Sequence, residues 1–410
     1  MRHLHVVPAL AMAASLAGPV NAETVRIAGF GGSDPVVVNG LLTEVLADDL
    51  EAAGIEVEYT PVEGDFSQFI TNALSAGTAP DLFYVDIFWS DAIFGAGQAA
   101  PVADPAVAEA MLPNLVEAFT RDGQLLGVPK DFNTLAVHYN ADIFEDAGVE
   151  PPDADDTWDD FAEKLRTVEE ELGDVAGICV VPDYARFGPF ALAAGWQPFN
   201  EEGRTVLDDN FRRAFEWYTG LVTEGGGAVA ADQGEGWTGG CLVNEKAAVA
   251  IEGAWIIGAI RDGAPSMVWG TAPMPIDPET GQRGNLLFTV AWVVNANSPV
   301  AEQAHQLAQM LTSEEAQQWV LEQGLAIPSR SALAENPFLA GDSNAAVASR
   351  VVFEGAQDGV VQPYYFNQYG GAWMEPINSA INAVILGQSD VDTALAEAQE
   401  RLDQITGHQQ

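Results

Sequence analysis

The stretch Asn244–Trp255, NEKAAVAIEGAW, constrains the fold more than any other in the chain. Its first four residues are polar and helix-compatible, and Ala248–Ile251 is a short apolar run of the kind that forms a fully buried strand. Gly253 then permits a tight turn, and Trp255 comes two residues later. In an open α/β sheet, ligands bind just beyond the carboxyl ends of strands. Glu252 and Trp255 therefore fall at the lip of a crevice. The competing reading makes Trp255 a core residue beneath the next helix, and this stretch by itself leaves both readings open.

The same alternation of strand-like and helix-like segments runs through the chain, which predicts α/β architecture with largely parallel sheets. Thr24–Ala28 alternates as a strand and leads into Gly29, Gly31, Gly32 and Asp34. These glycines do not match a dinucleotide fingerprint, so no nucleotide cofactor is expected. Leu82–Val85 reads as a buried strand with Asp86 at its end and Trp89 just beyond. Asp86 suits either a ligand hydroxyl or the N-cap of a helix. Lys130 and Asp131 are adjacent charges after Pro129, and Asp183 and Arg186 come after the apolar run Ile178–Val181. Trp237 sits in the glycine-rich segment Glu224–Gly240, as a ligand clamp or as a loop anchor. Pro363–Trp373 gathers Tyr365, Trp373 and further aromatics with two glycines.

At 410 residues the chain exceeds one ordinary core and predicts two lobes. No long linker divides it, so the chain is expected to pass between lobes more than once. Arg2, the apolar run Val6–Leu16 and the small-residue site Val20–Ala22 read as a secretory signal cleaved after Ala22. An exported protein is expected, since no later segment is long and apolar enough to span a bilayer. The formal net charge of −44 excludes nucleic acid as a natural partner and disfavours anionic membranes. It suits a solvated acidic shell, as in proteins adapted to high salt. The two cysteines, Cys179 and Cys241, suit either one disulfide or two buried thiols.

Several stretches together resemble the family 1 solute-binding proteins of ATP-driven sugar importers, the maltose-binding-like group. They are GTAPDLFYVD (Gly77–Asp86), VPKDFNTLAVHYN (Val128–Asn140), the AGVEPP and TWDDF segments after it, NEKAAVAIEGAW, and AWMEPINSAINAVILG (Ala372–Gly387). The resemblance covers nearly the whole exported chain. It implies a type II-like fold of two lobes joined by crossing strands, with hinge closure on a ligand. The expected division is 23–131 in lobe 1, 132–290 in lobe 2, 291–330 back in lobe 1, and 331–410 as a C-terminal part of lobe 2 with closing helices. Trp255 and Trp373 match positions of sugar-stacking aromatics, and Asp183 matches an acid on the second lobe. Asp34, Asp86 and Trp89 match more loosely, and Val249 replaces the family's frequent Met. The segment Trp237–Cys241 resembles a subgroup that implies a Cys179–Cys241 pairing. A membrane permease–ATPase partner and a monomeric periplasmic protein are also implied.

The expected function is capture of a mono- or oligosaccharide. Aromatic rings stack on sugar C–H faces, and Asp34, Asp86, Lys130, Asp131, Asp183, Arg186 and Glu252 supply polar partners. A binding protein for a betaine or polyamine is the alternative, because acids and aromatics also cage cations. A secreted glycoside hydrolase is a remote third reading, needing only two carboxylates. Serine-hydrolase and zinc-protease motifs are both missing from the sequence. Neither cofactor nor metal is expected.

Overall fold

The computed structural model describes residues 22–407, so the predicted signal lies almost wholly outside the described residues. Two mixed sheets organise two α/β lobes. In the first lobe the strand order is Ile327–Pro328, Val128–Asn133, Gly284–Val294, Leu82–Asp86, Glu23–Phe30, Ile55–Val62. In the second it is Trp269–Ala272, Ala136–Asn140, Ala247–Glu252, Ala176–Val180, Gly227–Val229. The central strands of both are buried on both faces, as their unbroken apolar runs require.

The expectation of largely parallel sheets does not hold. Gly284–Val294 runs antiparallel to both Leu82–Asp86 and Val128–Asn133, and Ala247–Glu252 runs antiparallel to Ala136–Asn140. The cause is the crossing of the chain between lobes. Val128–Asn133 lies in one sheet and Ala136–Asn140 in the other, so only Thr134 and Leu135 separate them. Gly284–Val294 then returns from the second lobe to the first, against the direction of its new neighbours.

The two crossings are tied to each other. The Asn285 side chain accepts from the Leu135 amide at 2.9 Å and donates to the Leu135 carbonyl at 2.8 Å. The helix Tyr184–Ala193 packs against the start of the returning strand. A Cβ on Gly284 would stand 1.9 Å from the Pro189 carbonyl oxygen, so glycine is required for that approach. The C-terminal segments also reach the second lobe. The Tyr184 amide donates to Asn378 Oδ1 at 2.7 Å, and Arg204 pairs with Asp403.

A disulfide joins Cys179 in the strand Ala176–Val180 to Cys241 in the helix Thr238–Val243. Among the described residues, no helix is long and apolar enough to cross a membrane.

Candidate functional site

A cavity of about 450 Å³ opens between the lobes, with the crossing strand Gly284–Val294 along its floor. The first lobe supplies Asp34, Asp86, Lys130 and Asp131, the second Asp183, Arg186, Trp237 and Trp255. Each acid arrives by a simple local device. Asp34 opens the helix Asp34–Gly40 after a turn through Gly32, whose φ of +67° suits glycine. Asp86 and Asp183 end strands or the turns after them, and each caps the helical turn next in the chain. Asp86 accepts from the Phe88 amide at 3.2 Å and Asp183 from the Arg186 amide at 2.8 Å. Asp86 thus combines its two predicted positions, cap and cavity wall.

The second-lobe wall is built on Glu252. This residue is fully buried behind the wall and is not itself on the cavity. One of its oxygens accepts from Arg186 Nη2 at 2.5 Å and from the Trp255 indole nitrogen at 2.9 Å. The other accepts from the Thr238 hydroxyl at 2.6 Å. The Trp255 ring folds back over Gly253, where a Cβ would stand 2.5 Å from it. Gly253 is therefore needed for space, and its φ is not in the left-handed region. Trp237 lies over Gly239 in the same way.

The electrostatics are strained toward protonation. Burial pushes the Asp34 carboxyl up to about 6 despite the opposing Lys130 ammonium. Burial likewise pushes Asp86 up to about 7, against the hydrogen bond from the Phe88 amide. Asp131 and Asp183 are also raised by enclosure. Lys130 is paired with Asp131 and lies 4.8 Å over the Tyr84 ring. Two buried atoms of cavity residues have no partner: Asp34 Oδ2 in the first lobe and Arg186 Nε in the second.

Four predicted site residues lie elsewhere. Trp373 is fully buried in an aromatic cluster, stacked on Phe366 at 4.5 Å with its indole nitrogen on the Thr205 hydroxyl. Trp89 packs edge-on to Phe66 in the first-lobe core. Tyr365 faces a different cavity and donates to Asp91 at 2.5 Å. Glu252 stands behind the wall as described. Reading the sequence missed Tyr364, Phe288 and Asn133, which do line the cavity. Neighbouring residues on an extended segment face opposite ways, so selecting Tyr365 instead of Tyr364 inverted the side.

The second cavity, about 610 Å³, is larger but chemically quieter. Its Arg121 and Tyr365 are both already paired with Asp91.

The family model described as bacterial extracellular solute-binding protein matches residues 46–347. The chain belongs to that family. The matched span of this solute-binding protein holds every residue named above on the interlobe cavity except Asp34 and Tyr364. The GacH receptor of Streptomyces glaucescens, solved unliganded and with acarbose, superposes with a TM-score of 0.81 at 21% identity. That match covers 95% of this chain and 100% of the other. The lactose-binding protein of Rhizobium radiobacter is 24% identical over 48% of this chain and 49% of its own. The arabinooligosaccharide-binding protein of Halalkalibacterium halodurans is 30% identical over 33% of this chain and 31% of its own.

Proposed function

We propose that this solute-binding protein captures a mono- or oligosaccharide in the interlobe cavity and delivers it to a permease–ATPase importer. The observation that carries the reading is the convergence of Trp237 and Trp255 with acids of both lobes on one cavity. Sugars present apolar ring faces to indoles and hydroxyls to carboxylates. Relatives and structural neighbours named for lactose, arabinooligosaccharide and acarbose support the same ligand class. The lobes close by bending where Thr134–Leu135 and Asn285 cross, which excludes water from the charged wall. The protein acts as a monomer in the periplasm after removal of residues 1–22.

Binding without hydrolysis is the reading for the acids, because Asp131 is held by Lys130 and Glu252 is engaged behind the wall. A thermal-shift panel of sugars, polyols, betaines and polyamines tests the proposal, since a bound ligand stabilises by RT ln(1 + [L]/Kd). A shift with a saccharide, and no cleavage products after incubation, is expected. A shift confined to betaines or polyamines would overturn it.

A further inference from the structure

The charges on the cavity wall do not balance. Four aspartates and two cations line it. Both cations are already committed, Lys130 to Asp131 and Arg186 to Glu252 and Asp183. Neither Asp34 nor Asp86 has an ion-pair partner among the described residues; Lys130, bound to Asp131, acts on Asp34 only from beyond ion-pair distance. Asp34 is only 8% exposed; Tyr84 hydrogen-bonds its carboxyl, but its Oδ2 has no partner and is buried from water. Asp86 is held by the backbone amides of Phe88 and Ile87, with no cation beside it, and the residue borders the cavity.

Closing the lobes on a neutral sugar would remove water from these carboxylates without cancelling their charge, and an uncompensated buried charge is costly. The two unpartnered atoms narrow the ligand further. Asp34 Oδ2 requires an N–H or O–H donor, which a quaternary ammonium lacks. Arg186 Nε, an N–H, requires an acceptor, which a fully protonated polyamine lacks. An amino sugar has both: an ammonium with three donors, and hydroxyl and ring oxygens as acceptors.

Resting on the sugar-binding reading above, we infer that the natural ligand is a basic saccharide. Its ammonium pairs with the first-lobe carboxylates Asp34 and Asp86, and its ring faces Trp237 and Trp255. Burial raises the proton affinity of both Asp34 and Asp86, the direction expected of enclosed carboxylates with no ion-pair partner.

Matched saccharides test this by calorimetric titration of the full exported chain at pH 6.5. The probes are chitosan oligosaccharides, fully N-acetylated chito-oligosaccharides and cello-oligosaccharides of equal length, together with galactosamine and galactose. Within each set the probes differ only at C2 of each ring, as amine, acetamide or hydroxyl. The amine member is expected to bind at least about tenfold tighter than its partners, or about 1.4 kcal/mol. Asp34→Asn is expected to weaken the amine more than the neutral analogue, reducing that preference to about threefold or less. Neutral sugars binding as tightly as their amines would overturn the inference and leave the sugar-binding reading intact. Spermidine or glycine betaine binding in place of every saccharide would overturn both.

Discussion

Arg186 and Trp255 are held by the same carboxylate oxygen of Glu252, at 2.5 Å and 2.9 Å, so one buried acid sets two side chains of the cavity wall. The residues come from different elements, the helix Tyr184–Ala193 and the helix Trp255–Gly263. Removing one member of a buried pair leaves the other charge uncompensated, which typically costs about 3–5 kcal/mol. Glu252→Ala is therefore expected to lower urea-unfolding stability by about 3 kcal/mol and to weaken saccharide binding. Glu252→Gln, whose single amide oxygen can still accept from Trp255 while its NH2 faces the Thr238 hydroxyl, is expected to keep more stability than affinity. Equal retention of both by the two variants would contradict this role.

Asp34 makes a pH prediction with a definite sign. Its folded carboxyl is raised from the usual value near 4 to about 6 by burial, so the folded state holds the proton longer than the unfolded chain. The stability this contributes is fully present below pH 4 and is lost as pH rises through about 6. Buried His138, lowered to about 4, works in the opposite sense over an overlapping range. The clean quantity is therefore the difference between Asp34→Asn and wild type, in which His138 cancels. One pKa unit is about 1.4 kcal/mol, so the variant is expected to gain on the order of 2 kcal/mol over wild type at pH 8. Near pH 4.5 the gain should shrink to a small fraction of that. A difference that does not change with pH would sink the idea.

The disulfide ties together two segments that lead into the cavity wall. Cys179 lies four residues before Asp183, and Cys241 lies four after Trp237. The bridge spans 62 residues, and closing such a loop is worth ~4 kcal/mol in the chain-entropy model. Reduction under native conditions is expected to lower the melting temperature and weaken ligand binding together. Intact mass after denaturing alkylation without reductant should show no alkylated thiol.

Salt should stabilise the fold. A formal net charge of −44 on a compact chain repels itself, and molar salt shortens the range of that repulsion to roughly 3 Å. The melting temperature is expected to climb steadily from low salt to 1 M sodium chloride. A flat response would show that the acidic surface carries no such penalty.

Much of the fold was legible because burial leaves local marks. The runs Leu82–Val85 and Ala248–Ile251 are apolar without alternation, and both are central strands. Strand direction leaves no such mark, so the antiparallel return of Gly284–Val294 was missed. At the site, Asp34, Asp86 and Asp183 were readable as acids where strands or glycine turns end. Whether an aromatic faces the cavity is decided by packing distant in sequence. Trp373 is drawn inward by Thr205 and Phe366, and Trp89 by Phe66. Glu252 was found as an acid at a strand end, but its burial depends on Arg186, 66 residues away.

The most direct test of the saccharide cavity is Trp255→Ala, measured by ligand titration and by urea unfolding on the same protein. The Trp255 ring is partly exposed on the cavity, and its indole nitrogen is held by Glu252. Aromatic anchors of binding sites lose about 2 kcal/mol or more on truncation, so affinity is expected to fall roughly thirtyfold. Stability should change by less than about 1.5 kcal/mol. If affinity for the saccharide is unchanged while stability drops by the roughly 3–5 kcal/mol of a core cavity, Trp255 is a packing residue and the account of the site is wrong.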